Sequence, residues 1–522
     1  MILYSSFTHA PMHDFQGYCF VNADYVYGPR GAHARYDNTG EAIGPGHDGC
    51  YVTVRPVGNT WEFGVDALGM AKLFVYEEGG VWAISSSLAT LVDHLREHGV
   101  RLRPNYPQLA GLAVNKRLTS QMSSFRTIFE GVRLVSSSDV VLLHRDKIQT
   151  RPVQRAARPQ TYKAGLSSFL ELWLSRLVGI LKDGRAHLEC DLSGGIDSRT
   201  VFAIVMASAL RVDGAWDRID FRSNANNEAD FNVAQEIAKT YHVSLNSPGP
   251  RENARLRKGR RPVSWRDTCM GNYLLPYFHK VGSHPFAMHC HGSGGEVHRS
   301  AYAGASAEKL AKENESAMPA HLYGVWHDDF LETIDALTAQ DPSMDPMQLH
   351  FREFRNRLHF GHRPHGSVVL SMLNSAALNF MADYPEAMNT RQLYFDIMEN
   401  LMPGLANIRY DLDKKSPSSE NLQNVTHVDS SCLSNIGNVY AQAEWESGMS
   451  VNSRPYLLAD FLIDARSALA HKGVRSFVLP EDLISARAAL EQCEVSGKLG
   501  HPNSIETKKL VYCVFVHWVL EA

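Results

Sequence analysis

Residues 187–210 pass from an apolar, strand-like segment through Ser193-Gly194-Gly195-Ile196-Asp197-Ser198 into a second apolar run with helical character. A chain that must turn from strand to helix within six residues is restricted to α/β architectures, with that turn at the carboxyl end of its strand. Glycines and hydroxyls let the turn aim several backbone N–H groups and a helix N-terminus at one small volume. That volume suits the pyrophosphate of a nucleotide, with Asp197 placed to hold Mg²⁺ beside it. ATP and Mg²⁺ are therefore the expected ligands. The turn is not the Walker pattern, because no lysine follows the glycines, and its glycine spacing is not that of the dinucleotide fingerprint.

Composition excludes several other classes. Over 522 residues the chain is 44% apolar and 21% charged, with a net charge of −4, which is ordinary for a globular protein of two to four domains. Nothing in that balance favours nucleic acid or an acidic membrane surface. The eight cysteines (19, 50, 190, 269, 290, 432, 493 and 513) form no Cys-x-x-Cys pair, and they read as reduced thiols rather than a disulfide frame or a zinc site. No secretory signal opens the chain. Its longest apolar runs, 201–210 and 510–520, fall short of the roughly 20 residues of a membrane span and read as buried helices. A cytoplasmic protein is expected.

The first 150 residues carry short alternating runs at 50–55, 61–65 and 81–84, separated by Gly, Asn and Asp turns, which predict β-structure. Residues 152–162, with prolines at 152 and 159, read as a linker. Apolar residues at 166, 169, 170, 173, 174, 177 and 180 recur at helical spacing and predict an amphipathic helix over 162–181. The strand 187–192, the turn and a helix over 199–210 follow, then a strand at 218–222 and a helix at 229–241. This alternation predicts a parallel sheet with helices on both faces. After residue 305 the pattern is mostly helical, including 347–357, 370–381 and 391–401.

A second glycine-rich motif, Gly292-Ser293-Gly294-Gly295-Glu296, follows a predicted strand at 285–289. Cleaving ATP at its α-phosphate develops charge on both products, and two carboxylates bracketing Mg²⁺ can manage it. Asp197 and Glu296 are the candidate metal ligands, although Glu296 also reads as an ordinary surface acid after a glycine turn. His289, His291 and His298 lack acid or cysteine company at ligand spacing, which argues against zinc. The six basic residues within 251–261 read either as a solvated loop or as a site for an acidic substrate. Arg199, directly after the turn, is positioned to touch phosphate or a neighbouring acid.

The turn resembles the Ser-Gly-Gly-x-Asp-Ser loop of the N-type ATP pyrophosphatases. Together with Gly292–Glu296, the stretch from Gly64 to Tyr76 and the stretch from Phe129 to Leu134, it resembles the asparagine synthetase family over roughly residues 45–415. The resemblance implies an α+β front domain at 1–155, an Ntn-hydrolase-like β-sandwich. It also implies an α/β parallel-sheet, PP-loop (HUP-like) synthetase domain at 156–522 with a helical C-terminal part. Residue 2 is Ile where glutamine-using members carry a cysteine, and Cys19 is internal. The chain is thus similar to the glutaminase-inactive branch, which contains β-lactam and carbapenam synthetases and lasso peptide cyclases.

That branch implies an AMP-forming amide ligase, acting on a small-molecule or peptide carboxylate and amine, without nucleic acid or membrane. Leu192 and Phe221 would sit near the adenine. The residues Ser193, Gly194, Gly195, Asp197 and Ser198, together with Gly292 and Gly294, would cradle the phosphates, and Ser293 would join the catalytic group. The family's charge-neutralising lysine corresponds to Lys414 or Lys415, with Arg454-Pro455 and Lys498 as a rival alignment. A free-ammonia synthetase and a non-catalytic nucleotide-binding subunit are the alternatives. A partner protein or a homodimer also stays open.

Overall fold

The computed structural model describes the whole chain apart from residues 9, 115, 155–157, 248–264, 275–283, 300, 362–366, 380, 382–383, 385, 388–390, 443–455, 502–503 and 522. The basic run 251–261 and Arg454-Pro455 lie outside the described residues.

The alternating runs of the front segment form two antiparallel sheets. One has the order β1 (Leu3–Ser5), β7 (Val81–Ser85), β6 (Phe74–Glu78), β8 (Val132–Leu134). The other runs β10 (Lys147–Pro152), β9 (Asp139–His144), β5 (Thr60–Val65), β4 (Asp48–Val57), β2 (Asp14–Val21) and β3 (Asp24–Tyr27), and β15 (Val439–Tyr440), from far along the chain, joins its β3 edge in parallel. Period-two alternation sends Val52, Val54, Phe63 and Val65 into a core shared with Val75 and Ile84 of the first sheet. The opposite face buries Phe15, Cys19, Val26 and Tyr51 beneath helix α1 (Gly28–Thr39). Lys147–Pro152 is paired strand, so the sheet extends into the expected linker.

A third sheet is parallel throughout, in the order β12 (Ile219–Arg222), β11 (His187–Asp191), β13 (Ala287–Cys290), β14 (Val368–Leu370). The strand order reverses at β11, and the carboxyl end of such a strand is where open α/β sheets bind ligands. Val368–Leu370 corrects the expected helix over 370–381: paired with β13 and wholly buried, Val368 and Val369 suit a strand. A short 3₁₀ turn, Ala376–Leu378, follows it. The helix over 347–357 is present from Pro346 but widens into a π turn at Phe351–Asn356.

The amphipathic helix lies at Tyr162–Asp183 (α4), capped at its start by the Thr161 hydroxyl and ended by left-handed Gly184. Among the described residues it is the one helix long and apolar enough to cross a membrane, and 72% of its apolar window is buried inside the protein. The helix after the turn is Ile196–Ala209 (α5), which starts three residues earlier than the periodicity suggests because Gly195 is its N-cap.

The front segment and the remainder share their cores. Helix Ile505–Leu520 shares one core with the first sheet, α2 (Leu88–Glu97) and α3 (Tyr106–Gly111), and its Trp518 meets Phe129 edge-on at 5.2 Å. On the other side, the Tyr18 hydroxyl accepts from the Val369 N–H (3.0 Å) and donates to its carbonyl (2.9 Å), capping the free edge of β14. Arg176 of α4 donates to the Asn22 carbonyl and to Asp48 (2.7 Å), whose oxygens also take the Ser375 hydroxyl and the Ala376 N–H.

Removing one member of a buried ion pair strands the other. Asp48→Ala is therefore expected to cost about 3–5 kcal/mol, read as a lower midpoint in urea denaturation. His350 is buried, takes a hydrogen bond from Tyr302 and donates one to the Ser123 carbonyl. Burial lowers its pKa from 6.5 to about 4. The unfolded chain therefore binds more protons between those values, and stability is full above about pH 6.5 and falls as pH drops toward 4. Denaturation midpoints across this range should show the decline, and His350→Gln should make it shallower, with the buried His298, lowered likewise to about 4, keeping its share.

Candidate nucleotide site

The site is built where β11 ends. Leu192 donates to the Arg222 carbonyl (2.7 Å), so strand pairing persists to the first residue of the turn. The turn then closes on its own side chains. Ser198 Oγ accepts from the Ser193 N–H (3.1 Å) and lies 2.7 Å from Ser193 Oγ, which accepts from the Gly195 N–H (3.1 Å). Gly194 donates to Asp230 at 3.1 Å. Helix α5 begins at once, with Asp197 in its first turn, and its leading N–H groups lack intrahelical partners by geometry.

A cavity of about 440 Å³ opens at this point, within the range of small-ligand pockets. The ends of three parallel strands line it: Asp191 to Ser193 after β11, Arg222 to Asn224 after β12, and His291 to Ser293 after β13. Gly195, Asp197, Ser198 and Glu296 complete the polar part, and Phe360 supplies an apolar wall.

The second glycine motif is pressed against the first. A Cβ at Gly292 would lie 2.7 Å from Asp197 Cβ and from the Ser198 nitrogen, and one at Gly295 would lie 2.3 Å from Asp197 Oδ1. Gly294 has φ +92° and sits against Asn374. The Tyr394 hydroxyl donates to the Gly295 carbonyl from below. Ser293 is buried, with its hydroxyl 3.0 Å from that of Ser371 and its N–H donating to His291 Nδ1.

Asp197 is the electrostatic centre. Burial raises its pKa, Arg299 opposes that most, Glu296 adds to the rise, and Lys415 opposes it further. Its Oδ2 is 2.7 Å from Arg299, whereas Oδ1 is buried with no hydrogen-bond partner. Glu296 is exposed at the cavity wall. Among the described residues no group of three or more His, Cys, Asp or Glu is arranged to hold a metal. Two carboxylates nevertheless suffice for Mg²⁺, which is commonly bound by one or two of them together with substrate phosphates. The orphaned Oδ1 fits such a ligand role.

The structure separates the two candidate lysines. Lys415 is half-buried, bonded to Asp411 at 2.6 Å, and near enough to Asp197 to influence it. Asp411 in turn donates its N–H to the Gly194 carbonyl (3.3 Å). Lys414 is exposed, and its carbonyl accepts from Arg391, so it is not at the site. Lys498 is exposed just past the helix Pro480–Ser496 and does not line the cavity.

Arg199 does not face phosphate. It is fully buried, donates to the carbonyls of Leu405, Ile408 and Arg409, and stacks on Tyr410 at 3.7 Å. Its role is to hold segment 405–411, and hence Lys415, against the turn. Phe221 likewise points into the core, edge-on to Phe202 at 5.2 Å, and the next residues of its strand line the cavity instead. Leu192 borders the cavity as expected. The three histidines have separate partners: His289 meets Asp191 (3.0 Å), His291 meets Ser293, and His298 donates to the Leu373 carbonyl. Arg222, Asn224 and Asp411 escape the sequence reading, for each stands outside a glycine motif; Arg299 ends the stretch 289–299 around the second motif, but no local spacing aims it at Asp197.

No protein-family model matches the chain, and no curated protein matches its sequence.

Because Gly292 has no room for a methyl group, Gly292→Ala should force the two motifs apart and cost about 1–3 kcal/mol, measurable by denaturant titration.

Proposed function

We propose that the protein is an ATP-dependent, AMP-forming amide ligase, built like the glutaminase-inactive branch of the asparagine synthetase family. The observation that carries this reading is the convergence, in one cavity, of the α5 N-terminus and the Asp197–Glu296 carboxylates, with the Lys415 ammonium held on Asp411 near enough to Asp197 to influence it. Three elements remote in sequence supply a phosphate cradle, a metal-holding pair and a cation.

In this reading the turn 193–198 and the first N–H groups of α5 hold the pyrophosphate portion of ATP. Asp197 and Glu296 would hold Mg²⁺, which supplies charge neutralisation across the phosphates. Arg222 to Asn224 border the space left for the nucleoside. Lys415, kept in place by Asp411, sits where negative charge grows as a substrate carboxylate is adenylated and as an amine captures it. Ser293 and Ser371 offer hydroxyls to orient that carboxylate. The site must exclude water that would hydrolyse the adenylate.

The front sheets support a reading without glutamine hydrolysis. Ile2 is buried in the core between them. Cys19 and Cys50 are buried too, and burial pushes both thiols up, away from the thiolate a nucleophile requires. Against the Ntn-like sandwich expected for 1–155, these sheets fit a structural part joined to a synthetase part. The amine then comes from the substrate itself, giving a lactam, macrolactam or other natural-product amide; free ammonia is the alternative source.

The purified protein should catalyse substrate-dependent ATP–pyrophosphate exchange. Asp197→Ala should abolish it, and Lys415→Met should lower amide formation by ~10²–10³-fold. Exchange undiminished in Asp197→Ala overturns the assignment. Nucleotide binding without AMP formation across a broad panel of carboxylates would point to a nucleotide-binding subunit, and asparagine formed from aspartate and ammonium would point to the ammonia-using alternative.

A further inference from the structure

The turn Gly295–His298 and the residue after it place two opposite charges on Asp197. Glu296 faces the cavity, and Arg299, whose N–H closes the turn on the Glu296 carbonyl (3.3 Å), puts its guanidinium on Asp197 Oδ2 at 2.7 Å. The guanidinium also lies 5.9 Å from the Tyr394 ring centre, and the Tyr394 hydroxyl holds the Gly295 carbonyl. One short, braced turn therefore carries both an anion that would join Asp197 in holding a cation and a cation that already neutralises it.

These two roles compete. A divalent ion on Asp197 and Glu296 would stand within a few ångströms of Arg299, and like charges at that distance repel strongly in a partly buried site. The ion gains Asp197 fully only if Arg299 lets go. A freed guanidinium needs a new anion, and its planar fork suits phosphate oxygens. Phosphates held by the turn 193–198, next to Asp197, would be such a partner.

We propose that Arg299 is an exchangeable counter-ion. It holds Asp197 while the site lacks metal and moves to phosphate when the metal enters, which makes metal and phosphate bind cooperatively. This rests on the nucleotide-and-magnesium reading above. Linkage makes the coupling reciprocal: pyrophosphate strengthens metal binding by the same factor as metal strengthens pyrophosphate binding. Arg299 is a positioning residue in this scheme, and its effect is legible without turnover.

The test measures Mn²⁺ binding to the full-length protein by electron paramagnetic resonance, with and without inorganic pyrophosphate. The wild type should bind Mn²⁺ weakly alone and much more tightly with pyrophosphate. Arg299→Gln should bind Mn²⁺ alone about tenfold more tightly, because the competitor is gone, and should lose about tenfold of the enhancement by pyrophosphate. Arg299→Lys, which keeps the charge, should retain the weak binding of the wild type. Arg299→Met, apolar against the Tyr394 ring, carries the same expectation as the glutamine variant should that one fold poorly. Mn²⁺ affinity and pyrophosphate coupling both unchanged in Arg299→Gln and Arg299→Met overturn the proposal. Mn²⁺ binding that survives Asp197→Asn and Glu296→Gln in these backgrounds overturns the metal reading instead.

Discussion

The buried pair of Arg176 and Asp48 is the joint on which the architecture turns. Their side chains are 3% and 5% exposed, and Arg176 lies against the faces of Phe20 and Trp173, at 4.8 and 4.7 Å. The pair ties together α4, strand β4, the β2–β3 turn and the segment after β14. Burying two charges is costly, so the pair contributes less to net stability than to the uniqueness of one docking arrangement. In the observed placement of the two sheets, Asn22, Ser375 and Ala376 supply the further partners of this pair. That placement reaches the cavity, because residues 371–375 also supply Ser371 to Ser293 and Asn374 to Gly294.

The site is assembled by close approach rather than by one sequence motif. Glycines at 292, 294 and 295 let a second strand-end lie directly on the first, and any Cβ at these points would displace Asp197 or Asn374. From the other side Arg199 gathers three carbonyls of the 405–409 segment, and Asp411 binds the Gly194 carbonyl. The residue that follows the glycine turn in sequence is thus spent on architecture, while an ammonium near the turn arrives from residue 415. Backbone groups buried at such crossings must be paired, and long arginines meet several carbonyls at once.

Much of this was legible in the chain. Helix α4 announces itself through its spacing of apolar residues, and strands β4, β5, β7, β11 and β12 through short apolar runs between turn residues. Ser193-Gly194-Gly195-Ile196-Asp197-Ser198 marks the strand–turn–helix transition, and Gly292 to Glu296 marks the second approach. Strand β14 did not reveal itself, since three buried apolar residues beside more apolar sequence are equally helical until a partner strand selects them. Phe221 misleads for a related reason: strand alternation says that one face is buried, not which face meets the cavity.

Local order thus follows from residue type alone: where the chain must turn, where a helix can begin, and that a glycine-rich turn with one acid and two hydroxyls suits an anion and a metal. Tertiary structure decided which charges meet there. Lys415 rather than Lys414 lies near enough to influence Asp197, Arg299 pairs with it, and Arg199 turns away, because each depends on segments 100 to 220 residues apart crossing at one point. Short-range spacing carries no information about such crossings. They are set by which buried faces and buried charges can be satisfied together.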